Sequence, residues 1–237
     1  MADFSEYLKE SNWNIELHEE QIKQLEMYTQ LLLEWNEKIN LTAIIDPKEI
    51  AVKHYLDSLS LLHFAPPEQG AAILDVGSGA GFPGIVLKIA RPDLHLTCMD
   101  GTQKRVHFLT MLAETLHLQE VNCLHARAEE AGRQGTLRET FDYVTARAVS
   151  NLRMLCEYCL PFVKIGGRFV AMKGPDGETE AHEAQKAIHV LGGKIAHIST
   201  FTLPATAFSR TLVEIIKTAN TPVAYPRSSG IMKKRPL

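Results

Sequence analysis

Ala71-Ala72-Ile73-Leu74-Asp75-Val76-Gly77-Ser78-Gly79-Ala80-Gly81-Phe82-Pro83-Gly84 is the stretch on which the fold turns. Residues 71–76 are a short apolar run of the kind that forms a strand covered on both faces in a parallel sheet. Glycines end the run, and the apolar residues beyond Gly84 predict a helix over 84–90. Further along, apolar runs predict strands at 94–100, 121–125, 141–146 and 168–173. Helical patterns fall between them at 104–118, 151–161 and 178–191. Strands alternating with helices imply a doubly wound α/β fold with a parallel sheet. Two further strands, at 194–203 and 211–217, have no helix between them. A connection that short requires an antiparallel pair. The expectation is a Rossmann-like, mostly parallel seven-stranded sheet with an antiparallel last strand.

Upstream of the first strand the period is helical. Leu17, Ile22, Leu25, Tyr28, Leu32, Trp35 and Ile39 make one apolar face over 15–39. Asp46 followed by Pro47 predicts an N-cap and a first helical turn, and Pro66-Pro67 stops that second helix after Phe64. Three segments result: an N-terminal helical extension at 1–65, an α/β domain at 66–220 and a basic tail at 221–237. Asn36 and Asn40 read as capping residues, and Trp35 as core.

The chain has 237 residues, 45% of them hydrophobic and 22% charged, a balance typical of a soluble globular protein. It contains no run of apolar residues long enough to span a bilayer, and its acidic start does not read as a secretory signal. Cys98, Cys123, Cys156 and Cys159 read as reduced, buried thiols, and a cytoplasmic location is expected. The spacing Cys156-Glu157-Tyr158-Cys159 has no second pair to complete a zinc site, and the ten histidines show no ligand spacing, so no metal is expected. The net charge of −3 is unevenly spread. Residues 1–70 hold 13 acids against 5 Lys and Arg, whereas 71–237 hold 15 acids against 20. A basic half suits a polyanion, and Lys233-Lys234-Arg235 reads as an RNA phosphate contact.

The glycine loop admits two registers. Gly79-Ala80-Gly81-Phe82-Pro83-Gly84 fits the dinucleotide fingerprint and would make the chain an NAD-dependent oxidoreductase. Asp75-x-Gly77-x-Gly79-x-Gly81 fits the pattern of S-adenosylmethionine-dependent methyltransferases. Asp100, at the end of the second strand, suits a ribose diol in either case. Asp75 favours the second register, because a carboxylate beside the loop suits a cationic methionine end and repels a pyrophosphate. After the fourth strand, Thr145-Ala146-Arg147-Ala148 carries neither the Pro-Pro-aromatic motif of adenine amino methyltransferases nor the cysteine nucleophile of cytosine-C5 enzymes. An acceptor such as guanine N7 needs neither, since its in-plane lone pair carries no proton. Arg147, Lys173 and Arg127 lie at strand ends, where RNA contact and ordinary ion pairing both remain open.

Taken in order, the residues resemble the bacterial 16S ribosomal RNA guanine-N7 methyltransferase family (RsmG, also called GidB). The resemblance is carried by Trp35-Asn36, Ile39-Asn40-Leu41-Thr42-Ala43-Ile44, His54-Tyr55-Leu56-Asp57-Ser58 and the loop from Asp75 to Gly84. Arg127-Ala128-Glu129, Thr145-Ala146-Arg147-Ala148, Lys173-Gly174 and Tyr225-Pro226-Arg227 complete it. It implies a class I methyltransferase fold that binds S-adenosylmethionine and methylates N7 of the guanosine at position 527 of 16S ribosomal RNA. The substrate would be free RNA, the 30S subunit or an assembly intermediate, and the enzyme a monomer. A non-catalytic RNA-binding assembly factor is the rival. On the family's pattern Gly77, Gly79 and Phe82 meet the cofactor, Asp100 holds its ribose, and Ala128 with Glu129 hold its adenine edge. Arg147 lies at the cofactor pocket and the catalytic face, and Lys173 positions the RNA. The departure is Gly101-Thr102-Gln103 after Asp100, where other members more often carry Ser-Leu.

Overall fold

The computed structural model describes residues 2–204 and 206–237. The sheet has seven strands: β1 (Ala72–Val76), β2 (His95–Asp100), β3 (Val121–His125), β4 (Phe141–Arg147), β5 (Val163–Lys173), β6 (Gly193–Thr202) and β7 (Ser209–Lys217). Their spatial order is β3-β2-β1-β4-β5-β7-β6. The first five are mutually parallel, and β7 runs antiparallel between β5 and β6. The order reverses between β1 and β4, which opens a crevice at their carboxyl ends, the usual ligand position in such sheets. The seven expected strands are all present, with β5 starting earlier than its apolar core suggested.

Helices α5 (Gly84–Ala90), α6 (Gln103–Thr115), α7 (Ala128–Ala131), α8 (Leu152–Cys159) and α9 (Gly177–Val190) follow successive strands. Before the sheet come α1 (Ala2–Glu10), α2 (Glu19–Ile39), α3 (Pro47–Ile50) and α4 (Asp57–Phe64), with a π-helical turn at Ala51–Leu56 between α3 and α4. Asp46 caps α3 as expected, its carboxylate accepting from the amides of Lys48 and Glu49. Asn40 closes α2 in the left-handed conformation, and the Asn36 side chain accepts the Thr42 amide. Trp35 packs on Phe108 of α6. The continuous helix expected over 15–39 begins only at Glu19, because residues 13–18 form no regular element and His18 enters α2 in extended conformation.

Two apolar clusters cover the two faces of the sheet. One joins α2, α4, α5 and α6, with Leu25, Tyr28, Leu32, Tyr55, Ile85 and Phe108 among its buried members. The other joins α8 and α9 to the opposite face through Leu155, Cys156, Cys159, Phe169 and Ile188. Cys156 and Cys159 are fully buried free thiols, and no cluster of metal ligands exists among the described residues. No described helix is long and apolar enough to cross a membrane.

The N-terminal helices meet the glycine loop directly. The Tyr28 hydroxyl donates to the Ala80 carbonyl, and the Tyr28 ring stacks on Phe82. Gln21 of α2 donates to the Ile89 and Ala90 carbonyls at the end of α5. Each bond satisfies a backbone acceptor that would otherwise be buried unpaired.

Candidate cofactor and RNA site

The loop after β1 is built on two carboxylates. Asp75 is fully buried beneath it; one oxygen accepts the Gly84 amide at 3.0 Å. Its other oxygen has no partner in the structure. Burial outweighs the hydrogen bonds and raises its pKa to about 6. Asp100 ends β2, with one oxygen accepting the Gly79 amide at 3.0 Å and the other the Thr102 amide at 2.8 Å. A carboxylate fixed on both oxygens keeps lone pairs free for two neighbouring hydroxyls, as a ribose diol presents them. Gly77 (φ +73°) bends the chain between the two acids. A Cβ there would lie 2.8 Å from Val149 Cγ2, so only glycine leaves this side of the cavity as bare backbone.

A cavity of about 430 Å³ opens at this crevice. Gly77, Asp100, Ala128, Glu129 and Arg147 line it together, as do Arg127, Arg105 and Tyr158. Gly79 and Phe82 do not. Gly79 instead supplies the amide that holds Asp100. Phe82 is buried in an aromatic stack with Tyr28 on one side and His54, at a centroid distance of 4.4 Å, on the other.

The same packing bears on the dinucleotide register. A pyrophosphate would need open amides at the start of α5. The Gly84 amide is taken by Asp75, and Tyr28 and Phe82 cover the turn. A Cβ at Gly81 would come within 2.6 Å of the Tyr28 hydroxyl, so Gly81 makes room for α2 and not for a phosphate. Asp75 likewise lies under the loop and does not line the cavity. Its carboxylate acts there by shaping the loop, in place of the direct contact with a cationic ligand that the sequence suggested.

Arg147 ends β4 and borders a second cavity of about 400 Å³. Its guanidinium donates to Asp57 at 3.0 Å and to the Lys53 carbonyl, and it lies 3.2 Å from His54 Nδ1. The guanidinium also sits 5.0 Å from the Phe82 ring centroid. Asp57, 3% exposed, accepts Arg210 of β7 with its other oxygen at 3.0 Å. Burial, followed by the Arg147 charge, lowers the His54 pKa to about 3, so this imidazole is neutral at physiological pH. The ion-pair reading of Arg147 and its place at the cavity are therefore both realised. Lys173, at the end of β5, is engaged internally. It donates to the Ser150 carbonyl at 2.8 Å and pairs with Glu180 at 2.8 Å, while still bordering the second cavity.

The basic tail is docked on the domain. Arg227 pairs with the buried Glu157, and Arg138 holds the carbonyls of Thr221 and Tyr225. Helix α10 (Ser229–Lys234) follows, buries Met232 and brings Ser229 and Lys233 to the wall of the first cavity. Sequence reasoning read Lys233 as an RNA phosphate contact and gave Ser229 no role. The signal for their actual position was the Tyr225-Pro226-Arg227 motif, whose arginine is the anchor.

The family described as rRNA small subunit methyltransferase G (GidB) matches residues 21–213. A ribosomal RNA small subunit methyltransferase G from Desulforamulus reducens is 47% identical over 239 residues, covering 100% of both chains. The Alkaliphilus metalliredigens protein of that name is 48% identical over 221 residues, covering 93% of this chain and 92% of its own. Among solved structures, a SAM-dependent methyltransferase from Aquifex aeolicus shares the fold, with a TM-score of 0.53 and 18% identity over 72% of this chain and 94% of its own. The Bacillus YcgJ protein matches with a TM-score of 0.53 and 14% identity over 70% and 100%.

Two measurements test this geometry. Gly77→Asp is expected to abolish S-adenosylmethionine binding in calorimetry while a cooperative thermal transition remains; wild-type affinity would refute the position of the pocket. Asp75 has a folded pKa raised from the usual 3.8 to about 6. The native state thus binds the extra proton, and the stabilisation is complete below about pH 3.8 and lost as pH rises through 6. Wild type should lose stability relative to Asp75→Asn between these limits, by up to about 3 kcal/mol, in urea titrations at stepped pH. A pH-independent difference would show that Asp75 does not titrate there.

Proposed function

The chain belongs to the rRNA small subunit methyltransferase G family, and we propose that it transfers the methyl group of S-adenosylmethionine to N7 of a guanosine, position 527, in 16S ribosomal RNA. The observation that carries this reading is the pair of cavities meeting at Arg147 and Ala148. One is built for a nucleoside-bearing donor, and the other is open to an acceptor.

S-adenosylmethionine supplies the sulfonium methyl. Asp100 is suited to its ribose hydroxyls, the backbone at Gly77 to its close approach, and Ala128-Glu129 to its adenine edge. No cysteine lines either cavity, and Cys98, Cys156 and Cys159 are fully buried, so nothing here forms a covalent adduct with a base. Guanine N7 requires none. Its lone pair attacks the methyl carbon in line, the carbon–sulfur bond breaks, and no proton is removed. Rate acceleration then rests on positioning and electrostatics.

Arg147 is the residue placed to orient the acceptor. With N7 as nucleophile, its guanidinium is free to donate only to the neighbouring O6 edge. The product guanine is cationic, and Asp57 beside Arg147 offsets the charge that would otherwise oppose it. We take the enzyme to be a monomer, a reading supported by residues of one chain lining both cavities. Its substrate is the RNA either alone or in the 30S particle or a precursor of it.

Mapping methylated nucleotides in 16S RNA treated with purified protein tests the assignment directly; methylation confined to another base or atom would overturn it. Arg147→Lys keeps the charge beside Asp57 but loses the planar fork. It should lower kcat for methyl transfer by roughly a hundredfold with S-adenosylmethionine affinity retained. Equal losses of stability and activity would reduce Arg147 to a structural ion pair.

A further inference from the structure

The second cavity carries a feature that the methyl-transfer chemistry does not use. Phe208, in the connection between β6 and β7, is 46% exposed at its rim. Buried apolar area would be gained by turning this ring inward, yet the loop holds it out. The Phe208 carbonyl accepts the Leu203 amide at 2.9 Å, and the Phe208 amide donates to Thr206 Oγ1 at 3.1 Å. Two cations lie over the ring: Lys53 Nζ is 4.7 Å and Arg210 Cζ 5.9 Å from its centroid. Both are partly fixed by carboxylates, Lys53 by Glu49 and Arg210 by Asp57. Four cations, Lys53, Arg147, Lys173 and Arg210, line the cavity against two carboxylates, Asp57 and Glu180, and His54 is neutral.

We propose that Phe208 is a stacking platform for an unpaired RNA base beside the acceptor nucleotide, the base taking a ring face that Lys53 or Arg210 covers in the free protein and the cations turning to the phosphates. This inference rests on the reading of the chain as a methyltransferase of RNA. An exposed aromatic beside cations, at the mouth of a positively lined cavity, is the arrangement by which proteins hold single-stranded nucleic acid. Every base offers a π-face, so the platform adds affinity without dictating sequence. A base that puts one face on Phe208 gives up that face's stacking within the RNA, so the platform favours a strand already unpaired around the acceptor.

The test compares wild type, Phe208→Ala, Phe208→Leu and Phe208→Trp, using unmethylated 16S RNA as substrate and calorimetry with S-adenosylmethionine as the control for an intact fold. The KM for RNA should rise tenfold or more in Phe208→Ala, about the loss of one base–aromatic stack. Phe208→Trp should restore it, and Phe208→Leu should not. Because no charge is removed, the dependence of RNA binding on salt should keep its slope. An unchanged KM in Phe208→Ala would overturn the platform alone. Rescue by Phe208→Leu would also overturn it, by pointing to an apolar contact with a protein surface. Wild type that neither binds nor methylates RNA, whether free or in undermethylated 30S subunits, would overturn the RNA reading and the platform with it.

Discussion

The carboxylate of Asp57 joins three parts of the molecule that are far apart along the chain. It stands at the start of α4, in the helical extension, and holds Arg147 at the end of β4 and Arg210 at the start of β7. Both pairs are largely removed from water, where breaking one partner leaves an uncompensated charge and costs far more than a surface pair. The extension is consequently part of the site. It sets the guanidinium that separates the two cavities.

The π-helical turn just before Asp57 serves the same end. Widening the helix over Ala51–Leu56 leaves the Lys53 carbonyl available to Arg147 and aims His54 between Arg147 and Phe82. Turns of this kind recur at functional sites because they redirect one or two groups without ending a helix. A neutral His54 fits the position. An imidazolium there would add a third charge beside Arg147 and Arg210, and burial with those neighbours keeps the ring deprotonated.

The two acids of the glycine loop divide the labour differently from what their spacing suggests. Asp75 and Asp100 look alike in sequence, each closing a strand. Asp100 lines the cavity, whereas Asp75 lies beneath the loop and holds the first amide of α5. Tyr28 and Phe82 then seal that turn, so the same glycines that fit a dinucleotide fingerprint are closed to a pyrophosphate.

The alternation of strands and helices, the reversed β7, the capped start of α3 and the crevice above β1 were all legible in the sequence, because each follows from local pattern: period, turn chemistry and connection length. The set Gly77, Asp100, Ala128, Glu129 and Arg147 came from the resemblance to a known family, and the five line one cavity because the carboxyl ends of parallel strands converge on one edge. What only the tertiary structure decided depends on contacts between segments distant along the chain. Phe82 faces Tyr28 and His54 and not the cavity. Lys173 is held by Glu180, and α10 folds back to bring Lys233 to a cavity formed some 100 residues earlier. A residue's type and position specify what it offers chemically; which partner takes up that offer is set by the packing of helices whose meeting no local pattern encodes.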